Sequence, residues 1–417
     1  MSATFAGIDF GTSNSTVGLA DEGGARLIAL EGAEVTLPSA VFFHVDGPAP
    51  DFGRAAIAAY LEGEEGRLMR GLKSTLGSGL VNERTAIGGR AVSFRDVLAR
   101  FIGHLRLRLD QAAPGIDCAV FGRPVHFVDD DAEGDASAQG VLEEIARACG
   151  FRAVEFQFEP VAAALDYEQG LRAEEIVLVF DIGGGTSDLS ILRLSPDRAR
   201  AADRAGDILA NDGIRVGGTD FDRLLSLAEV MPHLGYLSTS KAGQGILPRH
   251  YWQQMATWHR INALYAQRVM TDLKGLRHEA DHPGLIDRMI HVVTHRHGHA
   301  IAMEVERAKI ALSGAEATRL ALSGLTGGPN PVARRDRFEA AVAAPVARIR
   351  ALIDSTIAAA GLGPDRIATV FLTGGSSQLP LLRATVAAAL PHARLATGDM
   401  LGSVGTGLAL DARRRFG

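Results

Sequence analysis

Two short apolar runs flank a polar, glycine-containing turn at residues 5–20 (FAGIDFGTSNSTVGLA), and the same arrangement returns at residues 177–192 (VLVFDIGGGTSDLSIL). Each segment predicts a strand, a tight turn and a returning strand. Between them the pattern predicts short strands over 25–43, punctuated by Gly32 and Pro38, a helix at 52–61, a loop over 68–80 (LMRGLKSTLGSGL) and a strand pair near 85–92. Over 93–111 the apolar residues Phe94, Val97, Leu98, Phe101, Ile102 and Leu105 recur at helical spacing behind a Ser93/Asp96 cap. A buried strand at 118–127 contains the breaker Gly122-Arg123-Pro124; an amphipathic helix at 141–149, a strand at 154–158 and a helix led by Pro160 follow.

Residues 231–299 differ in texture: they hold both tryptophans and most of the histidines, and read as helices joined by loops, a subdomain inserted in the second half. Beyond it come a helix through MEVERAKIALS, a strand at 318–322, a long Ala-rich helix at 338–360, a strand at 368–372 and a helix at 379–390. Strands alternating with helices across both halves argue α/β layers.

The repeated turns carry the first chemical signal. Glycines let backbone N–H groups converge on anionic oxygens without a β-carbon in the way, and the adjacent Thr and Ser add hydroxyl donors. Asp9 and Asp181 end the first strand of each hairpin, where a carboxylate repels phosphate unless a divalent cation stands between them. The duplicated turn therefore points to a polyphosphate with Mg2+, held between two related domains.

The 417 residues suffice for two or more domains, and 47% apolar with 22% charged residues is an ordinary globular balance. A net charge of −6 gives no reason to expect nucleic acid or an anionic membrane as partner. Cys118 and Cys149 read as reduced thiols. The first strand begins at once and no apolar run approaches the ~20 residues of a membrane span, so a cytoplasmic protein is expected.

With a third glycine turn at 370–380 (VFLTGGSSQLP), the order of motifs resembles the actin-like ATPase superfamily and, within it, the nucleotide-binding domain of the DnaK-type (heat-shock 70) family. FEPVAAALDY at 158–167 resembles that family's Asn-Glu-Pro-Thr-Ala-Ala-Ala segment, VGGTDFD at 216–222 its Gly-Gly-x-Asp-Phe-Asp segment, and VERAKIALS at 305–313 its adenosine-side helix. GRPVHF at 122–127 and KSTLG at 73–77 are most similar to the short, YegD-type members. The resemblance runs from residue 6 to about residue 410. It implies a duplicated ribonuclease H-like α/β fold with two lobes of two subdomains around a nucleotide cleft. The expected divisions are a lobe I core (1–40 and 117–190), its peripheral subdomain (41–116), a lobe II core (191–228 and 314–395), its helical peripheral subdomain (229–313), and a C-terminal segment (396–417) returning to lobe I. The chain ends at DARRRFG, where the family continues into a peptide-binding domain, so that domain is expected to be lacking.

The resemblance also implies the ligands, ATP or ADP with Mg2+, and a role for each site residue. Gly11, Thr12, Ser13 and Asn14 serve the β-phosphate side; Gly183, Gly184, Gly185 and Thr186 cradle the γ-phosphate, and Gly217 and Gly218 also bind the nucleotide. Asp9 and Asp181 hold Mg2+ largely through water. Glu159 completes that water shell or orients the attacking water, and it also stands where a helix N-cap belongs. Lys73 reaches the γ-phosphate, and Asp188 either accepts the water's proton or makes a structural hydrogen bond. Glu306, Lys309 and Ser313 share one helical face and bind ribose and adenine, with Gly374, Gly375 and Ser376 against the base and Asp399 helping to close the cleft. Ile310 and Gln378 replace two arginines that sandwich adenine in many members; each such contact is worth ~1–3 kcal/mol, so weaker affinity or looser base selectivity is implied.

The run His291, His295, His297, His299 lacks a cysteine or paired carboxylate at ligand spacing and reads as an exposed polar helix rather than a metal site. Trp252 and Trp258 read as core or interface residues. The functional expectation is a slowly hydrolysing ATPase that signals nucleotide state to a client or co-chaperone protein. A filament-forming actin-like ATPase, a small-molecule kinase on the same fold, and a degenerate module that binds nucleotide without turnover are the alternatives.

Overall fold

The structure, a computed structural model, describes residues 3–47, 49–87, 89–200, 204–241, 243, 245–399 and 401–417. The chain divides into two compact units: residues 1–218, 348–377 and 382–417 form the first, and residues 219–347 with 378–381 the second.

Both repeated segments of the first unit are antiparallel hairpins, Phe5–Phe10 with Asn14–Asp21 and Glu175–Ile182 with Ser187–Leu194. Each hairpin is the centre of a sheet, and the two sheets share one topology. In the first, Ala153–Phe158 and Cys118–Arg123 lie parallel beside Phe5–Phe10, while Gly24–Leu27 extends the antiparallel side. In the second, Arg394–Thr397 and Thr369–Thr373 lie parallel beside Glu175–Ile182, while Ile208–Ile214 extends the antiparallel side. The central strands are buried along most of their length, which is why they read as near-continuous apolar runs rather than alternating ones.

Two helices bridge these sheets. Glu159–Glu168 and Ser403–Phe416 contribute Val161, Ala162, Ala163, Val404, Leu408 and Ala412 to a core that also takes Val120 from the first sheet and Val177, Val179, Leu192 and Phe371 from the second. The terminal helix lies against its neighbours at backbone distance. A β-carbon on Gly407 would fall 1.7 Å from the Ala162 carbonyl oxygen, and one on Gly7 2.3 Å from the Ala409 nitrogen. A larger core lies behind the first sheet, where Val97, Leu98, Phe101, Ile102 and Leu105 of Phe94–Ala112 are buried as their spacing predicts. That helix opens on a capping box between Ser93 and Asp96.

Three local expectations change. The segment 68–80 is not a plain loop: Gly66–Arg70 pairs with Ala40–His44, and single turns at Leu72–Thr75 and Gly79–Asn82 follow. The helix predicted from 141 begins at Ala132, because Asp131 caps it while its Ala-, Gly- and Ser-rich opening turns carry almost no apolar periodicity. The histidine run at 291–299 is not one helix, since Pro283–Thr294 ends within it, after His291, and Gly298–Gly314 begins within it, before His299.

The second unit is mainly helical, with His250–Ala256, Gln267–Glu279, Pro283–Thr294 and Gly298–Gly314 as its principal helices and a two-stranded ladder of Ala317–Arg319 with Val332–Arg334. Trp252 is fully buried there and donates its indole N–H to the Leu234 carbonyl at 2.9 Å. Among the described residues no helix is long and apolar enough to cross a membrane.

Candidate functional site

The tips of the two hairpins meet in the first unit. A β-carbon on Gly184 would stand 2.3 Å from Ser13 Oγ, and one on Gly185 3.0 Å from Thr12 Oγ1. Gly217 covers the same tip so closely that its β-carbon would lie 2.6 Å from the Gly184 carbonyl carbon and the Gly185 nitrogen. The tip is pinned by the Gly183 N–H donating to the Thr186 carbonyl at 3.0 Å and the Gly218 N–H donating to the Gly183 carbonyl at 2.9 Å. Gly11 folds its own turn as tightly, with a β-carbon position 2.1 Å from the Asn14 carbonyl oxygen. The third glycine turn closes on the second hairpin from the side. Gly374 adopts the left-handed region (φ 76°), and a β-carbon there would meet the Ile182 carbonyl at 2.3 Å and Asp181 Oδ1 at 2.7 Å. Ser376, also buried, donates to the Gly183 carbonyl at 3.4 Å, while Gly375 is exposed with open space around it.

Acidic and basic side chains converge by separate routes. Lys73 sits in the turn Leu72–Thr75, which the chain enters through Gly71 in the left-handed region (φ 59°). Its ammonium donates to Glu159 Oε1, and both side chains are less than a tenth exposed. Glu159 is the first residue of a helix with Pro160 behind it, so the carboxylate also sits at a helix N-terminus. Asp9 lies opposite Thr16 in the first hairpin, Asp181 opposite Asp188 in the second and beside Thr373 of the parallel strand.

The balance of charge is negative and buried. Burial first, and then the Glu159 carboxylate, push Asp9 up to about 7 against the pull of Lys73. The same two causes push Asp188 up to about 7. Asp181 is raised well above the carboxylate range by burial, then by Glu159, Asp188 and Asp9. Burial opposes the charge on Lys73, but Glu159 and Asp9 outweigh it and the ammonium is raised above its ordinary value. One lysine thus stands among four carboxyl groups. The Val125 N–H donates to Asp188 Oδ1 at 2.7 Å, whereas Asp188 Oδ2 and Thr373 Oγ1 are buried without a hydrogen-bond partner.

These features fit a divalent cation with an anionic ligand. An excess of buried carboxyl groups asks for positive charge, and orphaned oxygens ask for water or a donor. Among the described residues no group of three or more His, Cys, Asp or Glu is arranged to hold a metal by itself. A cation here would draw most of its ligands from water and phosphate, which is the habit of Mg2+.

The remaining predicted residues lie elsewhere. Asp399 is exposed and serves the turn into the terminal helix: its carbonyl accepts from Ser403 N–H at 3.0 Å and its Oδ1 from Leu401 N–H at 3.2 Å. Glu306, Lys309 and Ser313 are in the second unit on Gly298–Gly314; Lys309 is buried, and its ammonium pairs with the Asp222 carboxylate at 2.9–3.0 Å. Ile310 beside it is 64% exposed. The sequence reading missed Val125, Thr373 and Arg215, whose guanidinium reaches the Ser74 carbonyl at 3.4 Å. Thr373 had a signal, since it immediately precedes the third glycine turn; Val125 acts through its backbone N–H and Arg215 through a contact with a residue distant in sequence, and neither had one.

Comparison with known proteins shows the family. A family model described as Hsp70 protein matches residues 77–231 and 291–412. The chaperone protein HscA of Pectobacterium carotovorum subsp. carotovorum (strain PC1) is 27% identical over 426 residues, covering 97% of this chain and 57% of that protein. The HscA of Edwardsiella ictaluri (strain 93-146) is 28% identical over 427 residues, covering 98% and 57%. A chaperone protein HscA homolog of Aromatoleum aromaticum (strain DSM 19018 / LMG 30748 / EbN1) is 31% identical over 239 residues, covering 52% and 36%. The chain therefore spans 57% of the length of the first two relatives.

Proposed function

This chain belongs to the Hsp70 family, with its actin-like ATPase fold, and on that premise we propose that its first unit binds the polyphosphate of ATP or ADP with Mg2+ and hydrolyses ATP slowly. Nucleotide state is then signalled to a client or co-chaperone protein. The observation that supports this reading most is the buried Lys73–Glu159 pair set among Asp9, Asp181 and Asp188 beside two touching Gly/Thr hairpin tips. Two free cysteines and the absence, among the described residues, of a membrane-crossing helix favour action in the cytoplasm.

In the proposed reaction water attacks the γ-phosphorus, the bond to the bridging oxygen breaks, and that oxygen leaves on ADP. Asp9 and Asp181 would hold Mg2+ through water, and the ion would supply neutralising charge to the phosphate oxygens. Gly11, Thr12, Ser13 and Asn14 bind on the β-phosphate side, and Gly183, Gly184, Gly185 and Thr186 cradle the γ-phosphate. Lys73 stabilises charge on the phosphoryl group in transit, and Glu159 orients the water. Asp188 combines the two roles open to it: Oδ1 is fixed by the Val125 amide, and the unpartnered Oδ2 takes the proton, a task suited to a group poised near pH 7.

Single-turnover hydrolysis of γ-labelled ATP by wild type and Lys73→Ala tests the proposal. Loss of one charge-stabilising donor costs about 100-fold in rate. An unchanged rate in the folded variant removes Lys73 from the chemistry, and no phosphate release by wild type removes the activity.

A further inference from the structure

The second unit gathers imidazoles in a way their sequence spacing does not show. His291 lies in the last turn of Pro283–Thr294 and His295 caps that helix. Arg296 then turns the chain through the left-handed region (φ 55°), so that His297, at the N-cap of Gly298–Gly314, returns beside the first two. The ring centroids are 4.1 Å apart for His291 and His295, 5.5 Å for His295 and His297, and 5.7 Å for His291 and His297. His299 stays out of the group, 2% exposed and edge-on to Trp258.

Two of the three rings are already oriented by their backbone partners. His295 Nδ1 lies 2.9 Å from the His291 carbonyl and His297 Nδ1 lies 2.8 Å from the Leu325 carbonyl. A carbonyl only accepts, so Nδ1 carries the proton in each neutral ring and Nε2 keeps its lone pair. A metal-binding imidazole is commonly fixed in this manner by its far nitrogen. His295 is exposed and the other two half-buried, so an ion can reach them.

We propose that His291, His295 and His297 bind one borderline divalent transition-metal ion of the Zn2+ type, tying together the two helices at this junction. Three imidazoles on a tetrahedral ion at about 2.0–2.1 Å place their ring centres about 5 Å apart. The two separations that involve His297 are already within about 0.7 Å of that spacing, while the His291 and His295 rings stand too close by about 1 Å. The nitrogens do not yet converge on one point, in keeping with the lack of a ready-made three-ligand group among the described residues. With His295 and His297 held by their Nδ1 bonds, rotation of the half-buried His291 side chain between staggered wells closes the set. An all-imidazole set selects Zn2+, Ni2+ or Cu2+ over Mg2+, so this site is chemically separate from the carboxylates of the first unit.

Calorimetric titration of ZnCl2 into the purified full chain, without nucleotide, tests the site. One Zn2+ per chain is expected, with affinity at least tenfold lower in His295→Gln and in His297→Gln, unchanged in His282→Gln, and insensitive to excess MgCl2. Binding should fade as pH falls below about 6, where protons compete for the imidazoles. Co2+ in place of Zn2+ should give the d–d absorption of a tetrahedral nitrogen site, lost in the same two variants. Circular dichroism verifies that each variant is folded. No binding by wild type, equal binding by the His295→Gln/His297→Gln double variant, or displacement by MgCl2 would each overturn the proposal.

Discussion

Asp181 and Asp188 stand directly opposite each other across the ladder of the second hairpin, whereas the corresponding position opposite Asp9 in the first hairpin is Thr16. Like charges facing across a ladder destabilise it, and burial raises the cost. Asp188→Asn keeps an acceptor for the Val125 amide and removes one charge. The variant should be more stable than wild type without nucleotide, by about 2–4 kcal/mol at pH 8, from the rise of Asp188 to about 7. Urea unfolding measures this, and the same variant should hydrolyse ATP at least tenfold more slowly. A less stable variant would mean that Asp188 is needed as a carboxylate for the fold itself.

The raised carboxyls also fix a pH dependence. Asp9, Asp181 and Asp188 hold their protons more tightly folded than unfolded, so the folded state gains from acidification. The contribution of Asp9 and Asp188 is complete below about pH 4 and is lost as pH rises through about 7, and Asp181 acts in the same direction. Nucleotide-free protein should therefore unfold at lower urea concentration at pH 8 than at pH 6, and MgATP should narrow that difference. A stability that rises over this interval contradicts the charge balance described.

Lys73 and Glu159 form a buried pair, so removing one partner strands the other. Lys73→Ala should destabilise the protein by about 3–5 kcal/mol, and Lys73→Ala/Glu159→Gln by distinctly less. Denaturant titrations of the two single variants and the double variant close the cycle. Additive losses would show that the two groups do not act as a pair.

Much of this was legible because chemistry and architecture share the same residues. The hairpins announce themselves through apolar runs around Asp, Gly and Thr, and the glycines that bring Gly184 against Ser13 are the ones that mark the turn. The helix at 94–112 was equally plain from its spacing and its Ser93 cap. The first two turns of Ala132–Ala148 were not, because Ala, Gly and Ser offer no periodicity and Asp131 alone marks the start. The Val125 amide on Asp188 joins residues distant in sequence through backbone alone, and no side-chain pattern encodes it. The His297 ring meets His291 only because Arg296 reverses the chain, which helical spacing does not anticipate.

The terminal helix supplies a test of the packing. A β-carbon at Gly407 would overlap the Ala162 carbonyl oxygen at 1.7 Å, a backbone atom that cannot swing aside. Gly407→Ala should cost about 3 kcal/mol or more, beyond the usual effect of overpacking because backbone must move. A thermal unfolding curve coincident with wild type would show that the helix does not seat there.

Calorimetric titration of MgATP into the wild type and the Asp9→Ala/Thr186→Ala double variant tests the central claim most directly, since it asks whether the two hairpins hold a nucleotide. The account predicts saturable binding with a Kd on the order of micromolar, lost in a variant that remains folded. No heat from folded wild-type protein, or equal affinity in the variant, would contradict it.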